Sequence, residues 1–460
     1  PCLRLWISSL TDEAITEGMA NLLPCDRFDN LFLAADSRNR ADWLLGVNSS
    51  YAICKAVGFG NNSLGRVQTP VLAEICRRYR DRENHMPADC WPVFISLCKN
   101  DRILKMRHVD DLVVRREALA LYEDCKAAKS VRITAVGKRT EEIGAPALYN
   151  LAELQKDANR YHSLTAIQVQ EIAQGLYEKK LISYPRTSSR LLPKDVYDTL
   201  PPVMEKMLSR KEFRQYADTV DLAAPRDSIE AQDTMEHHAI IITGTQPGKL
   251  DREEMLVYTL IVGRMLETFM PPCKVEYTTV DTVCAARKFR IRTYRILEKG
   301  WLGIFEREHL VAKGCMPYLV MPDLFQEEML PVAGCSLIHK KSLPVSPYTD
   351  EELVDYMDKA GLGTVSTRTN ILRTLLERKY IRYSGKYVVP TPKGLFLYET
   401  VRSMKVADAS LTSGWETELA RIERGELSQE KFLDGVQETV NEVTGEIFRN
   451  HPMEKPQGTT

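Results

Sequence analysis

Two segments of the sequence, residues 176–184 and 375–383, have closely similar residue patterns. Each starts at the end of a helical pattern, passes through two adjacent basic residues, and reaches a tyrosine two residues after an isoleucine. When apolar residues first recur about every 3.6 residues and then at every second residue, the pattern indicates a helix followed by a strand. The chain is therefore predicted to contain the same helix-then-strand unit twice, each copy with the character of a winged helix-turn-helix.

Both units carry recognisable start and turn signals. Thr165 and Thr349 are each followed three residues later by glutamine or glutamate, which is the capping-box pattern of a helix N-terminus. In the second unit, a further helix is predicted over residues 366–379, and Gly385 follows Ser384 at a predicted hairpin turn. The second copy should therefore end in a two-stranded wing.

Only one of the two closing tyrosines is followed by proline and arginine. Pro185 fixes its own φ and restricts the residue before it, so Tyr184 is predicted to sit on a stiff backbone. Arg186 adds a guanidinium suited to gripping phosphate. Tyr184 is therefore a candidate nucleophile, and the alternative is a tyrosine that is partly buried beside a turn.

Two basic stretches suggest contacts with phosphate. In residues 63–70, Gly65 allows close backbone approach, and Arg66 and Gln68 lie beside a predicted helix N-terminus. The second stretch, residues 360–382, has five basic side chains and one glutamate. A solvated helix face is the alternative explanation for such a run of charge.

Composition limits the class of protein without deciding it. The 460-residue chain is long enough for several domains, and its net charge of −1 gives no overall attraction to nucleic acid, so binding would depend on local basic patches. The eleven cysteines include no Cys-x-x-Cys pair, and no apolar run is long enough to span a membrane. We expect a cytoplasmic protein that lacks zinc ribbons and disulfides.

The order of helical and strand-rich stretches predicts a multidomain α+β fold. Residues 1–86 form the first part of a helical base domain, and residues 341–460 form its second, winged-helix-like part. A β-rich arch is predicted in two parts over residues 87–148 and 242–340, on either side of a helical domain, residues 149–241, that carries Tyr184. Trp6, Ile7, Trp43 and Leu44 are expected in the core of the base domain, and hinges are expected at residues 144–146 and 242–244.

Several short motifs together resemble the type IA DNA topoisomerases, and most closely bacterial topoisomerase III. None of them is specific alone, but they follow the family's order over almost the whole chain. They are residues 4–15 (Arg-Leu-Trp-Ile-Ser-Ser-Leu-Thr-Asp-Glu-Ala-Ile), 41–48, 63–70, 184–187 (Tyr-Pro-Arg-Thr), 237–241 (His-His-Ala-Ile-Ile), 361–364 with Thr367, and 411–416.

The resemblance implies an isomerase that cuts one DNA strand through a 5′-phosphotyrosyl intermediate and passes another strand through the break. Its fold would be a toroid of helical, winged-helix-like domains and a β-rich arch. The catalytic residues carried over are Tyr184, Arg186 and His237, and the DNA-binding residues are Arg66, Gln68, Arg190, Thr367 and Arg368. For His237, a core histidine is the alternative, and metal binding by the adjacent His237 and His238 is not expected.

In the family, an N-terminal Toprim domain supplies a glutamate and an Asp-x-Asp-x-Glu cluster that hold Mg²⁺. This sequence contains no Asp-x-Asp. We therefore expect Mg²⁺ in the complete enzyme, no metal ligands among these residues, and no need for ATP. The chain by itself is expected to act as a monomer that binds single-stranded DNA without relaxing supercoils.

One alternative from another class is a winged-helix module that binds single-stranded DNA without chemistry. It accounts for the repeated unit but not for Tyr184-Pro185-Arg186 or for the strand-rich stretches. The sequence also departs from the family in places: Tyr51, Val365 and Ile242 stand where the family usually has arginine, proline and proline.

Overall fold

The computed structural model of the chain describes residues 2–6, 12–57, 61–211, 213–221, 229–230, 237–317, 321–365 and 367–450. Residues 7–11 of the first motif, with the predicted core residue Ile7, and Ser366 lie outside the described residues. In these ranges the α-helices are α1 (Asp12–Ala20), α2 (Asp29–Val57), α3 (Gln68–Glu83), α4 (Arg115–Ala127), α5 (Leu151–His162), α6 (Ala166–Glu178), α7 (Lys194–Asp198), α8 (Leu200–Leu208), α9 (Arg252–Thr268), α10 (Asp350–Lys359), α11 (Arg368–Glu377), α12 (Pro392–Val401), α13 (Ala409–Glu423) and α14 (Gln429–Asn450).

The strands are concentrated in the two stretches predicted to form the arch. In the described part of the chain they are β1 (Leu3–Arg4), β2 (Leu23–Pro24), β3 (Asp89–Cys90), β4 (Val93–Lys99), β5 (Arg102–His108), β6 (Ser130–Ile143), β7 (Leu192–Pro193), β8 (Ile229–Glu230), β9 (Cys273–Cys284), β10 (Arg287–Glu298), β11 (Met316–Pro317), β12 (Met329–Leu337), β13 (Lys340–Lys341), β14 (Tyr348–Thr349), β15 (Ile381–Ser384) and β16 (Tyr387–Pro390).

The two terminal parts of the chain share one buried core. Helices α2 and α3 from the first part pack with α10 to α14 from the second part, and α2 lies against α13 and α14. The prediction that Trp6 and Trp43 lie in this core is wrong, because they are 39% and 64% exposed. On α2, the buried face runs through Leu45 and Ile53, and Trp43 points away from it. Leu44 is half-buried beside the core.

A second core surrounds the segment that contains Tyr184. It is formed by α5, α6, α8 and α9 together with residues 239–242. This core continues to Phe269, past the boundary that the sequence predicts at residue 241. The reason is that α9 packs against α5 and α6 and buries most of its surface there. The sequence of α9 does not by itself indicate which domain the helix joins.

The strand-rich stretches fold into a closed antiparallel barrel. Within the described ranges the strand order is β10-β5-β4-β12-β6-β9, and β9 pairs with β10 along the whole of that strand, which closes the ring. The interior is filled by side chains that alternate with outward-facing ones, among them Ile95, Met106, Ile133 and Phe289. The alternation predicted from the sequence is thus that of a barrel wall.

The paired helix-then-strand units have matching backbones. Lys180 and Lys379 occupy equivalent places, and both have a φ of 58°. Each helix also ends with the same bond, from Leu181 N–H to the Leu176 carbonyl and from Tyr380 N–H to the Leu375 carbonyl. Both predicted capping boxes and the β15–β16 hairpin are confirmed.

The strand expected after α6 is present only as a single bridge in the described residues. Ile182 pairs with Ile242, and Thr243 N–H donates to the Leu181 carbonyl. Ile242 is therefore packed inside the second core, and the hinges expected at residues 144–146 and 242–244 stay predictions. The chain leaves this core for β9 after Phe269, through Pro271 and Pro272.

Gly394 tests the packing of the second unit in the base. A Cβ at this position would lie 2.1 Å from the Tyr380 carbonyl oxygen, which is backbone and cannot rotate away. We expect Gly394→Ala to lower the free energy of unfolding of the base by about 1–3 kcal/mol through overpacking. Denaturant unfolding followed by tryptophan fluorescence measures this change.

Gly435→Ala on α14 is the matched control for that substitution. A Cβ there meets nothing within 4 Å, so alanine is expected to stabilise the helix by up to about 1 kcal/mol. Equal stability of the two alanine variants would contradict the close approach of α12 to Tyr380.

Candidate active site

Tyr184 lies in a short segment that is fixed on both sides. On one side, Ser183 exchanges hydrogen bonds with residue 241, because its N–H donates to the Ile241 carbonyl at 2.8 Å and its Oγ accepts from Ile241 N–H at 3.0 Å. On the other side, the Oγ1 of buried Thr187 donates to the carbonyl of His237 at 3.1 Å. The tyrosine backbone is therefore held against the segment that begins at His237.

The tyrosine ring is half-buried between two other rings. The centroid of the His237 ring lies 4.5 Å from that of Tyr184, and the Tyr177 ring lies 5.4 Å away in an edge-to-face contact. Among the described residues, the Tyr184 hydroxyl makes no hydrogen bond. The ring is thus positioned by packing while its oxygen stays uncommitted.

Arg186 has a guanidinium with no acceptor in the described part of the protein, and its Nε is buried without a partner. A buried unsatisfied donor of a permanent cation is costly unless an anion or solvent satisfies it. Since Arg186 follows Tyr184 by two residues, an anion held there would lie next to the phenol. The structure therefore brings the rings of Tyr184 and His237 together, and Arg186 follows Tyr184 by two residues; their catalytic roles stay a prediction.

The adjacent histidine has a separate role. Nδ1 of His238 lies 2.7 Å from the Ala239 carbonyl, and burial lowers the pKa of this imidazole. His238 is thereby held against the backbone of the next residue. No group of three or more His, Cys, Asp or Glu that could hold a metal ion occurs in the described ranges. Among the described side chains there is therefore no set of carboxylates that fits Mg²⁺.

In the second unit, the tyrosine equivalent to Tyr184 has a structural hydrogen bond. Tyr383, the equivalent of Tyr184, donates its hydroxyl to both oxygens of buried Asp350 at 3.0 and 2.9 Å. Burial, the carboxylate charge and this hydrogen bond raise the pKa of Tyr383. Its oxygen is committed to holding the fold, which contrasts with the free oxygen of Tyr184.

Arg66, two residues before the start of α3, has its side chain buried against carboxylates. Its side chain is 4% exposed, with Nε 2.8 Å from Asp42 Oδ1 and Nη1 2.8 Å from Glu416 Oε1. Burial lowers the pKa of Arg66, but the hydrogen bonds and charges of both carboxylates outweigh it and raise the pKa overall. Arg66 therefore belongs to a buried ion cluster that joins three of the sequence motifs, since Thr412 Oγ1 also donates to the Arg66 carbonyl, and its contact with DNA stays a prediction.

Two further predicted DNA contacts are also occupied by protein groups. Arg190 donates to the carbonyls of Leu148 and Ala147 at 3.2 and 3.3 Å. Arg368 is 8% exposed, and its Nη1 lies 2.7 Å from Asp358 Oδ1, within ion-pair distance although outside hydrogen-bonding geometry. Both arginines therefore act first as links within the fold.

Gln68 and Thr367 keep accessible side chains. Gln68 is half-buried at the start of α3, where its Nε2 lies 3.4 Å from Ser63 Oγ. Thr367 is exposed in the turn before α11, and its Oγ1 accepts from Thr364 N–H at 2.9 Å. Because α3 packs against α11, the two side chains belong to one part of the base.

A cationic surface on this part of the base was only half visible in the sequence. Lys393 donates to the carbonyls of Arg378 and Asn61 at 3.0 and 3.1 Å, and burial together with the charges of Arg378 and Lys379 lowers its pKa. We use the name base cation surface for five basic side chains: Arg378, Lys379, Arg382, Lys386 and Lys393. In the described part of the chain, none of these five cations pairs with an acidic side chain.

Lys393 was missing from the predicted basic stretch because it follows the hairpin in sequence. The signal was the β15–β16 turn, which returns the chain so that Thr391 N–H donates to the Tyr380 carbonyl at 2.9 Å. A predicted hairpin of known length places its following residue beside the helix that precedes it. The register therefore could have shown that Lys393 joins Arg378 and Lys379.

Comparison with known proteins decides the family. The protein-family model described as DNA topoisomerase matches residues 26–434. The chain belongs to the DNA topoisomerase family. This membership covers both parts of the base, the Tyr184 domain and the barrel, and it confirms the type IA resemblance.

The relatives of this topoisomerase family member agree with that assignment. DNA topoisomerase 3 of Bacillus licheniformis is 29% identical over 479 residues, which cover 97% of this chain and 65% of the relative. DNA topoisomerase 1 of Methanocaldococcus jannaschii is 28% identical over 450 residues, covering 96% of this chain and 58% of that protein. The chain thus spans 65% of the length of the Bacillus relative.

The fold has a solved counterpart. The structure of full-length topoisomerase I from Thermotoga maritima matches with a TM-score of 0.76 at 20% identity, covering 96% of this chain and 73% of that one. The predicted fold class, a multidomain α+β fold of the type IA topoisomerase toroid, is therefore confirmed. None of the described helices is long and apolar enough to cross a membrane.

Proposed function

We propose that this protein cuts and rejoins one strand of DNA by attack of Tyr184 on a phosphodiester. The observation that carries the proposal is the ring contact of His237 with Tyr184, two residues before Arg186, where the tyrosine oxygen and the guanidinium have no partner in the described residues. The equivalent Tyr383 is hydrogen-bonded to Asp350, so the free hydroxyl is specific to the first unit.

The reaction balances without an external energy source. The Tyr184 oxygen loses its proton and forms a bond to phosphorus, while the bond from phosphorus to the 3′-oxygen breaks and that oxygen takes up a proton. The product is a 5′-phosphotyrosyl link and a free 3′-hydroxyl, and the reverse attack by the hydroxyl restores the strand. One phosphodiester replaces another, so ATP is not required.

Arg186 is the group best placed to stabilise the transition state. Negative charge grows on the phosphate oxygens during attack, and preorganised donors at the position of that charge stabilise it most where water is excluded. The buried Nε of Arg186 meets that condition two residues from the nucleophile. His237, whose ring contacts the tyrosine, would donate to a second phosphate oxygen.

Single-stranded DNA is the proposed substrate, held on the base cation surface. Five basic side chains without acidic partners repel each other, and a polyanion removes that repulsion. An unpaired strand can follow a groove that a duplex does not fit. The accessible Gln68 and Thr367 lie on the same part of the base, which supports a path for the strand there.

Neutralising the base cation surface should weaken DNA binding in a salt-dependent way. We expect Arg378→Gln with Lys379→Gln to reduce the slope of log affinity against log salt by about 1.4, because each phosphate contact on a single strand contributes about 0.7. Fluorescence anisotropy with a labelled oligonucleotide at several salt concentrations measures this slope. Arg80→Gln with Arg402→Gln, two cations already paired with Glu399, is the matched control and should leave the slope unchanged.

The polarity of the covalent link tests the proposed reaction. An oligonucleotide labelled at its 3′ end is mixed with the protein and Mg²⁺, with and without a separately expressed metal-binding domain, and denatured. We expect the 3′ label to migrate with the protein and a 5′ label to appear on a shorter free fragment. A protein-linked 5′ label, or no linked species under either condition, would contradict the proposal.

A DNA-binding module without chemistry is the competing function, favoured by the matching backbones of the two units. It predicts binding that depends on the base cation surface and no covalent species. Cytoplasmic location and a monomeric state stay predictions.

A further inference from the structure

The outer wall of the barrel carries a compact group of basic side chains on two adjacent strands. On β5 the buried residues Leu104 and Met106 alternate with exposed residues, and on β10 Phe289 and Ile291 do the same. Successive side chains of a strand point to opposite faces, so the exposed ones share the outer face. We call this group the arch patch; it consists of Lys105, Arg107, Lys288, Arg290 and Arg292.

The register of the two strands places like charges directly opposite each other. Arg290 of β10 pairs with Arg107 of β5. Like charges at directly opposite positions destabilise a pair of strands. The opposed Arg107 and Arg290 do not help the barrel to fold, which suggests that they have a role in binding. A bound anion would remove their repulsion.

Acidic partners cover only part of the patch. Asp281 is shared, with Arg290 Nε at 2.6 Å and Lys288 Nζ at 2.8 Å, and the charges of both cations keep its pKa low. Arg107 pairs with exposed Asp111. Five cations therefore face two carboxylates, which leaves an excess of three positive charges.

Two members of the patch have no acidic partner in the described residues. Lys105 holds its ammonium 4.7 Å from the centroid of the Phe94 ring, and Arg292, opposite Thr279, makes no ion pair or hydrogen bond. An uncommitted guanidinium on a rigid strand keeps its donors available for an external oxyanion.

The spacing of these cations suits an extended polyanion. Alternate residues of a strand are about 6.8 Å apart and neighbouring strands about 4.8 Å apart. Lys288, Arg290 and Arg292 thus form a row along β10, with Lys105 and Arg107 in a second row beside it. Phosphates along an extended DNA strand repeat at a comparable interval, whereas a small anion would need only one pair of these cations.

We propose that the arch patch binds the phosphate backbone of single-stranded DNA, at a second surface separate from the base cation surface. The proposal relies on the proposed function only for the identity of the polyanion. A strand held on the barrel wall would stay attached to the protein when the base releases the cut strand. The two surfaces belong to different cores, so each can be changed without touching the other.

The test uses the whole chain and a labelled oligothymidylate of about 30 nucleotides, longer than the range of about 4–16 nucleotides that one binding fold covers. We expect Lys105→Gln with Arg292→Gln to reduce the slope of log affinity against log salt by about 1.4. Neither residue has an acidic partner, so the substitutions leave no buried carboxylate behind. The control, Arg132→Gln with Lys138→Gln, removes two exposed cations of β6 that face Glu327 and Asp323 and should leave the slope unchanged.

The outcomes separate this proposal from the proposed function. A slope unchanged in the Lys105/Arg292 variant overturns the arch patch as a DNA site and assigns it to another acidic partner, such as a protein. An equal loss in the Arg132/Lys138 control also overturns it, since the effect would then be one of net charge. Loss in the arch variant with none in the Arg378/Lys379 variant supports the arch patch and contradicts the base cation surface.

Discussion

Tyr184→Phe is expected to abolish the DNA-linked form of the protein while changing its affinity for single-stranded DNA by no more than about twofold. The substitution removes one oxygen and keeps the ring that packs against His237 and Tyr177. In the described residues that oxygen makes no hydrogen bond, so its loss leaves no partner unsatisfied. A denaturing gel with 3′-labelled oligonucleotide measures the linked form, and anisotropy measures binding.

Two other tyrosines provide matched controls for this experiment. Tyr177→Phe removes the hydroxyl of the ring in edge-to-face contact with Tyr184, and Tyr383→Phe removes the hydroxyl at the equivalent position of the second unit. Both variants should still form the linked species. A linked species that persists in Tyr184→Phe, or that disappears in Tyr177→Phe alone, would assign the chemistry to another residue.

The local signals of the sequence predicted local structure well. The capping boxes at Thr165 and Thr349 and the turn at Gly385 each depend on residues within a few positions of one another, and all three are confirmed. The repeat also singled out Tyr184 as the candidate nucleophile, because Pro185 and Arg186 distinguish the two units. Short-range backbone chemistry is what a single sequence reports most directly.

Burial and charge pairing depended on distant residues and were predicted poorly. Arg66 looked like a phosphate ligand because its partners Asp42 and Glu416 lie far from it in the sequence, and only the packing of α2, α3 and α13 brings them together. Trp43 looked like core because it is large and aromatic. Its place on α2, opposite the buried face, decided otherwise.

The barrel was visible as alternation but not as a closed ring. Strand pairing between β9 and β10 is local, whereas the pairing of β12 with both β4 and β6 joins strands that are far apart in sequence. For the same reason, the sequence did not predict that Arg107 lies opposite Arg290. The register between strands that are remote in sequence cannot be read from either strand alone.

Asp350→Ala is expected to loosen the contact between the Tyr184 domain and the base. Asp350 is 1% exposed, and its Oδ2 accepts the N–H of Ala166, at the start of α6, at 2.7 Å. It also accepts the hydroxyl of Tyr383 from the base. Alanine leaves both donors buried without a partner, which costs about 1–3 kcal/mol for each, so the interface should weaken by about 2–6 kcal/mol.

Neighbouring contacts define which surfaces this change should affect. Gln155 Nε2 donates to Thr369 Oγ1 at 3.1 Å, and Lys156 pairs with Asp355 at 2.8 Å, so α5 and α6 meet α10 and α11 along one interface. The proposed strand passage requires these surfaces to separate. Amide hydrogen exchange reports such local opening, whereas a single melting temperature would mix it with unfolding of the other domains.

Asp350→Asn should have a smaller effect than alanine. The amide oxygen still accepts one of the two donors, and the neutral side chain avoids burying a charge. Burial raises the pKa of Asp350, against the opposing hydrogen bonds from Ala166 and Tyr383. A raised pKa in the folded state means that this group favours folding at low pH and that the contribution is lost as the pH rises through that pKa; asparagine removes this dependence.

The measurement is exchange of the α5, α6 and α10 amides, with α14 as an internal reference. A loss of about 2–6 kcal/mol increases the open population of these helices by a factor of roughly 30 to 20 000 in Asp350→Ala, with no change in α14. Combining Asp350→Ala with Tyr383→Phe should cost less than the sum of the two single changes, because the phenylalanine no longer has a hydroxyl to leave unpaired. Unchanged exchange at α6 in Asp350→Ala, or full additivity of the two changes, would contradict a role for Asp350 in holding the Tyr184 domain against the base.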